Sequence, residues 1–185
     1  MDITWKSLSI AITVLAGFGL ILLWLLGAQS KRETMVGLNQ EIRFDDFAFS
    51  ALASRKATTL GTADGQKPTE GLYYIVTIKV ANHVRRVDFQ FDPSTAVLID
   101  GAGREYHVSA RGQAALDSTR TQRDACAGAL PAGASCATEI VFDVPPDISD
   151  PHLKMSFGGK VGEFLDSIFY GKRKIALEPA GQASY

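Results

Sequence analysis

The longest apolar stretch of the chain runs from Leu8 to Leu26, and it contains no charged residue. At about 1.5 Å per residue, a helix of this length reaches roughly 28 Å, close to the thickness of the hydrocarbon core of a bilayer. Trp5 and Trp24 lie near its two ends, where indole rings favour the membrane interface. The stretch therefore predicts one N-terminal transmembrane helix, with residues 1–30 as a signal anchor.

A cleaved signal peptide is the alternative interpretation of the same residues. Lys6 would supply its basic n-region, and Leu26, Gly27 and Ala28 would form its cleavage site. The apolar region of a signal peptide usually spans about 7–15 residues, however, and Leu26 stands where a small residue is expected. Both features favour an uncleaved anchor. We expect a single-pass protein of the bacterial cytoplasmic membrane that contacts the lipid bilayer through residues 8–26.

Two signals disagree about the side of the membrane on which the rest of the chain lies. Lys31 and Arg32 follow the apolar stretch, and the positive-inside rule slightly favours a cytoplasmic location for what comes after them. The two cysteines, Cys126 and Cys136, flank a short loop rich in Gly and Ala. A disulfide between them indicates an oxidising compartment, whereas two free thiols are the alternative. The charge difference is the weaker signal, so we expect a disulfide and a domain on the extracytoplasmic, periplasmic side.

The residues after the apolar stretch are patterned as a polar linker (31–39), one β domain (40–178) and a flexible tail (179–185). The clearest strand is 72–82, where aromatic and β-branched residues alternate with a period of two. A short helix is expected near 113–116, and loop residues dominate 61–71. Alternation predicts further strands within 41–54, 89–91, 95–99, 104–108, 138–144, 153–157 and 172–177. About seven to nine short strands with frequent turns predict a mainly β fold, an antiparallel β-sandwich.

Three segments of this domain carry a likeness to a known family. The segment 74–82 is a strand that ends in asparagine, and 98–106 is a hairpin with the order Asp-Gly-Tyr. The third segment is Leu-Pro-Ala-Gly at 130–133, followed by Ile-Val-Phe-Asp-Val-Pro at 140–145. Together with the opening strand at 47–49, they resemble the DUF4352, or telokin-like, family of exported bacterial domains. The resemblance implies an immunoglobulin-like β-sandwich in an extracytoplasmic location, and it implies no agreed activity.

Histidines are the first residues to test for a metal site. His83, His107 and His152 are far apart and form neither an H-x-H nor an H-E-x-x-H spacing. We therefore expect surface or turn histidines, with no metal site and no cofactor. If the sandwich brought them together, a periplasmic carrier for a small ligand or a metal would be the alternative function.

Motifs for catalysis are also missing from the sequence. No G-x-S-x-G elbow is present, and the glycines at 101 and 103 lack the rest of a G-x-G-x-x-G phosphate-binding motif. Carboxylates are plentiful but scattered over turns. We expect no catalytic residue and no enzyme; an envelope enzyme with an unrecognised site is the second alternative. With 19 basic and 20 acidic residues, the chain also lacks the basic excess typical of nucleic-acid-binding proteins.

Two basic clusters are candidates for contact with a partner or with lipid: Arg85 and Arg86 after the clearest strand, and Lys172, Arg173 and Lys174 near the C-terminus. Basic residues near a membrane attract anionic headgroups, although solvated strand ends are the plainer interpretation. The apolar stretch 161–170 is either a last core strand or a patch for a partner. We expect a membrane-anchored, extracytoplasmic β-sandwich that serves as a protein- or ligand-binding accessory module of the bacterial cell envelope. Its expected partner is another envelope protein.

Overall fold

The computed structural model describes residues 17, 19, 33–44, 46–62, 65, 67–121, 124–155 and 172–178. In this part of the chain, no helix is both long and apolar enough to cross a bilayer. Apart from Gly17 and Gly19, the predicted membrane span lies outside the described residues. The predicted cleavage site, the apolar stretch 161–170 and the tail 179–185 lie outside them as well.

Two β-sheets enclose a common core. The five-stranded sheet has the order β1-β11-β10-β6-β7, and the four-stranded sheet has the order β2-β3-β4-β9. Strands β5 and β8 form a separate two-stranded ladder that packs against the same core, an eight-residue α-helix is α1, and a short 3-10 helix spans Pro93–Thr95. The elements are β1 (Glu33–Val36), β2 (Ile42–Phe44), β3 (Phe47–Leu60), β4 (Lys67–Asn82), β5 (Phe89–Gln90), β6 (Ala96–Ile99), β7 (Glu105–His107), α1 (Ala110–Asp117), β8 (Ala129–Leu130), β9 (Ser135–Val144), β10 (His152–Met155) and β11 (Lys172–Ala176). The prediction of a mainly β, sandwich-like fold is confirmed.

Strand β4 supplies the centre of the core. Its residues at alternating positions 74, 76, 78 and 80 are at most 1% exposed, as the period-two pattern predicts. They pack in one cluster with Leu98, Leu153 and Ile175 from the five-stranded sheet. The apolar face of β4 therefore joins the two sheets.

The opposite face of β4 is covered by α1, which the alternation pattern did not reveal. Tyr73 and Ile75 are fully buried there, in a second cluster that includes Leu116 of the helix. Gly112 permits this close approach, because a Cβ atom at that position would lie 2.6 Å from a methyl group of Val141. The middle of β4, residues 73–76, is thus buried on both faces.

The amide side chain of Gln113 fastens α1 to the outer edge of β9. Its Nε2 donates to the carbonyl oxygen of Glu139 at 3.1 Å, and its Oε1 accepts from the backbone N–H of Val141 at 3.2 Å. The backbone N–H of Ser109 donates to the carbonyl oxygen of Val141 at 2.8 Å. Side chain and backbone together replace a neighbouring strand along this part of β9.

The β3–β4 hairpin is longer than the sequence predicts. Residues 61–71 are expected to form a loop, but β4 begins at Lys67 and pairs there with Leu60. Gly71 allows the strands to continue, because a Cβ atom there would lie 2.1 Å from the carbonyl oxygen of Val144. Strands β2 and β3 pair as a tight antiparallel hairpin, with Phe44 opposite Phe47.

Strand β1 corrects the interpretation of residues 31–39 as a linker. Residues Glu33–Val36 pair in parallel with β11, in a register that places Glu33 opposite Lys172 and Val36 opposite Ile175. Val36 packs against the core. Four residues without alternation give no strand signal on their own, and their partner is distant in sequence. All other named strand pairs are antiparallel.

Candidate functional site

Basic residues lie at the end of the sandwich where β1 begins. Lys172 starts β11 opposite the first residue of β1, and Arg173 follows it. A terminal guanidinium nitrogen of Arg173 donates to the carbonyl oxygen of Arg43, and its charge lies 5.8 Å from the centre of the Phe44 ring. These contacts place the start of β11 beside the β2–β3 turn. Lys174 continues β11, level with Met35 of β1.

The loop after β4 meets the same end of the molecule. The backbone N–H of His83 donates to the carbonyl oxygen of Asp46 at 2.7 Å, which joins this loop to the β2–β3 turn. Arg85, Arg86 and Val87 follow, and all three are exposed. The structure thus brings together two basic clusters that are widely separated in sequence. We call this surface, formed by Arg43, Arg85, Arg86, Val87 and Arg173, the basic end.

Asn82 holds the shape of the loop from inside the protein. Its side chain is completely buried. Its Nδ2 donates to the carbonyl oxygens of Val87 and Leu130, at 2.9 and 3.0 Å, and its Oδ1 accepts from the N–H of Val84 at 3.0 Å. One amide therefore fixes both the basic loop and the turn that precedes β9. This residue is the asparagine that closes the first segment of the family likeness.

At the basic end, an acidic side chain lies beside Arg43 and His83. Glu41 lies 2.9 Å from the Nε of Arg43 and 3.8 Å from the Nε2 of His83. Among the described residues, neither Arg85 nor Arg86 is in an ion pair. The two arginines of the loop are therefore available to an anionic ligand.

The structure does not bring the three histidines together. His83 lies at the basic end, and His107 is exposed on β7. His152 is buried on β10, 3.5 Å from Asp150, so the expectation of a surface or turn position is wrong for this residue. Neighbouring strands flank it on both sides, with Ala176 and Ile99 as its register partners. The described part of the chain contains no group of three or more His, Cys, Asp or Glu residues placed to hold a metal ion.

The Asp-Gly-Tyr hairpin is built around a buried carboxylate. Asp100 accepts hydrogen bonds from the N–H of Arg104 at 2.9 Å, the Nε of Arg104 at 2.6 Å and the hydroxyl of Tyr106 at 2.9 Å. Desolvation raises the pKa of Asp100, but these hydrogen bonds and the Arg104 charge outweigh it and lower the pKa to about 2. Desolvation and the bond to Asp100 raise the pKa of Tyr106. The carboxylate therefore organises the turn.

The predicted disulfide between Cys126 and Cys136 is present, and both residues are buried. Asp124 ties the loop to the four-stranded sheet: it accepts from the N–H of Cys126 at 2.8 Å, from the Nη1 of Arg120 at 2.6 Å and from the hydroxyl of Thr138. Desolvation raises the pKa of Asp124, but the hydrogen bonds from Thr138, Cys126 and Arg120 outweigh this effect. The pKa of Asp124 is therefore lower than its ordinary value. A depression of about 250 Å³ lies beside this network. Its lining includes Arg120, Asp124 and Thr138, whose side chains are already hydrogen-bonded within the network.

Three solved structures are similar to this chain. A conserved hypothetical protein from Bacillus anthracis has a TM-score of 0.53 at 14% identity, covering 64% of this chain and 87% of its own. The secreted protein MPT63 from Mycobacterium tuberculosis has a TM-score of 0.51 at 17% identity, covering 70% and 94%. An uncharacterised β-sandwich protein from Clostridium difficile has a TM-score of 0.50 at 13% identity, covering 80% and 96%. At these identities the similarity shows a shared fold alone.

No curated protein matches this sequence. The family model for DUF4352, a domain of unknown function, matches residues 36–168. This range begins in β1 and includes every strand from β2 to β10. It also contains both cysteines and the hairpin of Asp100 and Tyr106. The chain therefore belongs to the DUF4352 family.

Proposed function

We propose that this protein is a single-pass protein of the bacterial cytoplasmic membrane. Its β-sandwich, which we take to be immunoglobulin-like, works on the periplasmic side as a binding accessory module of the cell envelope. The observation that carries the proposal is the disulfide between Cys126 and Cys136, buried inside the core. Structural disulfides persist in oxidising compartments and are rare in the cytoplasm. The similarity to a protein described as secreted supports the same location.

The proposed anchor is the apolar stretch 8–26, which is long enough to span a bilayer. It ends six residues before β1 begins at Glu33. The folded domain is therefore joined closely to the anchor, which supports a protein whose function is carried out at the membrane.

Binding fits the described residues better than catalysis does. The two carboxylates with shifted pKa values, Asp100 and Asp124, are saturated with hydrogen bonds and held ionised, whereas a general acid needs a raised pKa. Arg85 and Arg86, by contrast, form an exposed cationic surface. Another envelope protein remains our proposed partner for the domain, alongside lipid.

The location is tested by thiol labelling in cells. In denatured, unreduced protein we expect a maleimide to label neither Cys126 nor Cys136, and to label both after reduction. A Cys136→Ser variant, which leaves one thiol, serves as the labelling control. A cysteine introduced at the exposed position Ala102 should react with a membrane-impermeant maleimide once the outer membrane is permeabilised. Labelling only after cell lysis would place the domain in the cytoplasm and overturn the proposal.

The anchor is tested by mass spectrometry of the purified protein. The mature chain should retain Trp5 and resist extraction from membranes by alkaline carbonate. A mature N-terminus at Gln29 would show that the apolar stretch is a cleaved signal peptide.

A further inference from the structure

We propose that the basic end, with Arg85, Arg86 and Val87 at its tip, rests on the anionic lipid headgroups of the membrane that holds the anchor. This inference builds on the proposed membrane anchoring. It adds an orientation of the domain and a ligand for its exposed loop.

The short connection fixes which end of the sandwich faces the membrane. Residues 27–32 separate the apolar stretch from β1, and six residues span at most about 22 Å when fully extended. The headgroup layer on the domain's side of the membrane takes up about 5–8 Å of that distance. Because β1 runs away from Glu33 into the sheet, the end that carries Glu33 and Lys172 is the end nearest the bilayer.

The register of the strands places the basic loop at that same end. Arg173 contacts Arg43 beside the β2–β3 turn, and that turn bonds to His83 at the start of the loop. The β6–β7 turn at residues 100–104 lies at the other end, because Ile99 is opposite His152, and His152 is opposite Ala176 at the far end of β11.

The tip has the chemistry of a lipid contact. Arg85 and Arg86 are exposed, and guanidinium groups bind phosphate oxygens through paired hydrogen bonds. Val87 beside them is 60% exposed, so an apolar side chain is presented at the level of the headgroups. An acidic protein surface would match the same two charges, but the short connection between the apolar stretch and β1 keeps this end close to the headgroups.

Asn82 makes the tip ready to bind. It bonds to the carbonyl oxygen of Val87 and to the N–H of Val84, one on each side of the two arginines. A loop that is already ordered loses less conformational entropy on binding than a mobile one.

The test uses the full-length protein in vesicles of phosphatidylethanolamine and phosphatidylglycerol, and in vesicles of phosphatidylcholine alone. A fluorophore is attached to a cysteine introduced by Val87→Cys or, at the opposite end, by Ala102→Cys; the native cysteines are protected as a buried disulfide. Lipids that carry a quencher report the proximity of each position to the membrane. We expect strong quenching at position 87 in vesicles that contain phosphatidylglycerol, weak quenching there in phosphatidylcholine, and none at position 102.

Two charge variants distinguish an effect of the basic end on docking from an effect of the overall charge of the protein. Removing both tip arginines, by Arg85→Gln with Arg86→Gln, should lower the docking equilibrium constant by roughly 30-fold, since each basic residue near an anionic surface contributes about 1 kcal/mol. The matched control, Lys67→Gln with Arg111→Gln, removes two exposed charges away from the basic end and should leave quenching unchanged. Equal effects of the two double variants would overturn the inference.

The remaining outcomes distinguish a failure of the lipid contact from a failure of the proposed membrane anchoring. If the protein fails to float with the vesicles after carbonate treatment, the anchoring itself is wrong. If it floats but positions 87 and 102 are quenched equally, the anchoring stands and the lipid contact is refuted. If loss of the two arginines abolishes crosslinking to an envelope protein in cells while quenching persists, the tip binds an acidic protein instead.

Discussion

Replacing Asn82 by alanine should destabilise the domain by about 3–4 kcal/mol. The substitution removes the bonds to the carbonyl oxygens of Val87 and Leu130 and the bond from the N–H of Val84. A typical hydrogen bond contributes about 1 kcal/mol to stability, and a buried partner left unsatisfied costs about 1–3 kcal/mol. The bond to Leu130 is fully buried, so the carbonyl oxygen left unsatisfied there costs an amount in the upper part of the range for a buried partner. For a domain of this size, about 10 °C in Tm is the corresponding shift.

Urea unfolding of the full-length protein in detergent, followed by far-ultraviolet circular dichroism, measures this loss. Trp5 and Trp24 both belong to the proposed anchor, so tryptophan fluorescence would report on the wrong part of the chain. The midpoint should fall while the m-value stays constant. A loss below about 1 kcal/mol would refute the view that the amide fastens both loops.

A second substitution of Asn82 shows which of its atoms matter, and a substitution of Gln90 serves as the control. Asn82→Asp keeps an acceptor for the N–H of Val84 but loses both donors and buries a charge, so it should be at least as destabilising as the alanine variant. Gln90→Ala removes an exposed amide and should change the free energy of unfolding by less than about 0.5 kcal/mol. A milder effect of aspartate than of alanine would mean that the bond from the N–H of Val84 contributes more to stability than burial of the charge costs.

Gly71→Ala should cost about 1–3 kcal/mol by overpacking, because its Cβ atom would lie 2.1 Å from the carbonyl oxygen of Val144; Gly128→Ala, with nothing within 4 Å, should leave the urea midpoint unchanged, and equal midpoints for both variants would contradict the close approach. The pKa of Asp100 lies near 2, below its ordinary 3.8, so its contribution to stability is complete above about pH 4 and disappears as the pH falls through 2. Asp100→Asn should therefore flatten the dependence of stability on pH in that window, and parallel curves for the variant and the wild type would count against the hairpin network. Val76→Asp places a charge at a fully buried position and should abolish cooperative unfolding, whereas Val76→Ala should keep a cooperative transition with a lower Tm; a normal transition for the aspartate variant would show that this face of β4 is not in the core.

Local sequence patterns predicted the centre of the fold well. The apolar alternation that ends at Val80 identified the core face of β4, since inward positions of a strand must be apolar when the sheet is covered. The β6–β7 hairpin follows from the turn chemistry that begins at Asp100. The disulfide followed from two cysteines ten residues apart. Each of these depends on residues close in sequence.

Pairings between distant segments escaped the same patterns. β1 consists of Glu33–Val36, a strand of four residues whose partner begins at Lys172, and nothing within so short a segment encodes that choice. The burial of Tyr73 also escaped, because it depends on α1 folding back over a face of β4 that becomes polar toward its end.

The candidate site divides in the same way. Charge alone identified Arg85 and Arg86, and Lys172 with its neighbours, but their meeting at one end of the sandwich depends on the topology of both sheets. Asn82 gave no chemical signal beyond closing a strand, because its role rests on carbonyl groups contributed by two different loops. The placement of His152 between Ala176 and Ile99 likewise depends on strands that are distant in sequence.

The side chain of Gln113 also bears on how safely the protein folds among other polypeptide chains. The free N–H and C=O groups of a sheet edge are a template on which a foreign strand can pair and start an aggregate. On β9 that template is already occupied at Glu139 and Val141, so a second polypeptide finds no continuous register there. Once α1 has docked, this part of the edge is closed to a foreign strand, which hinders growth of the four-stranded sheet into a neighbouring molecule.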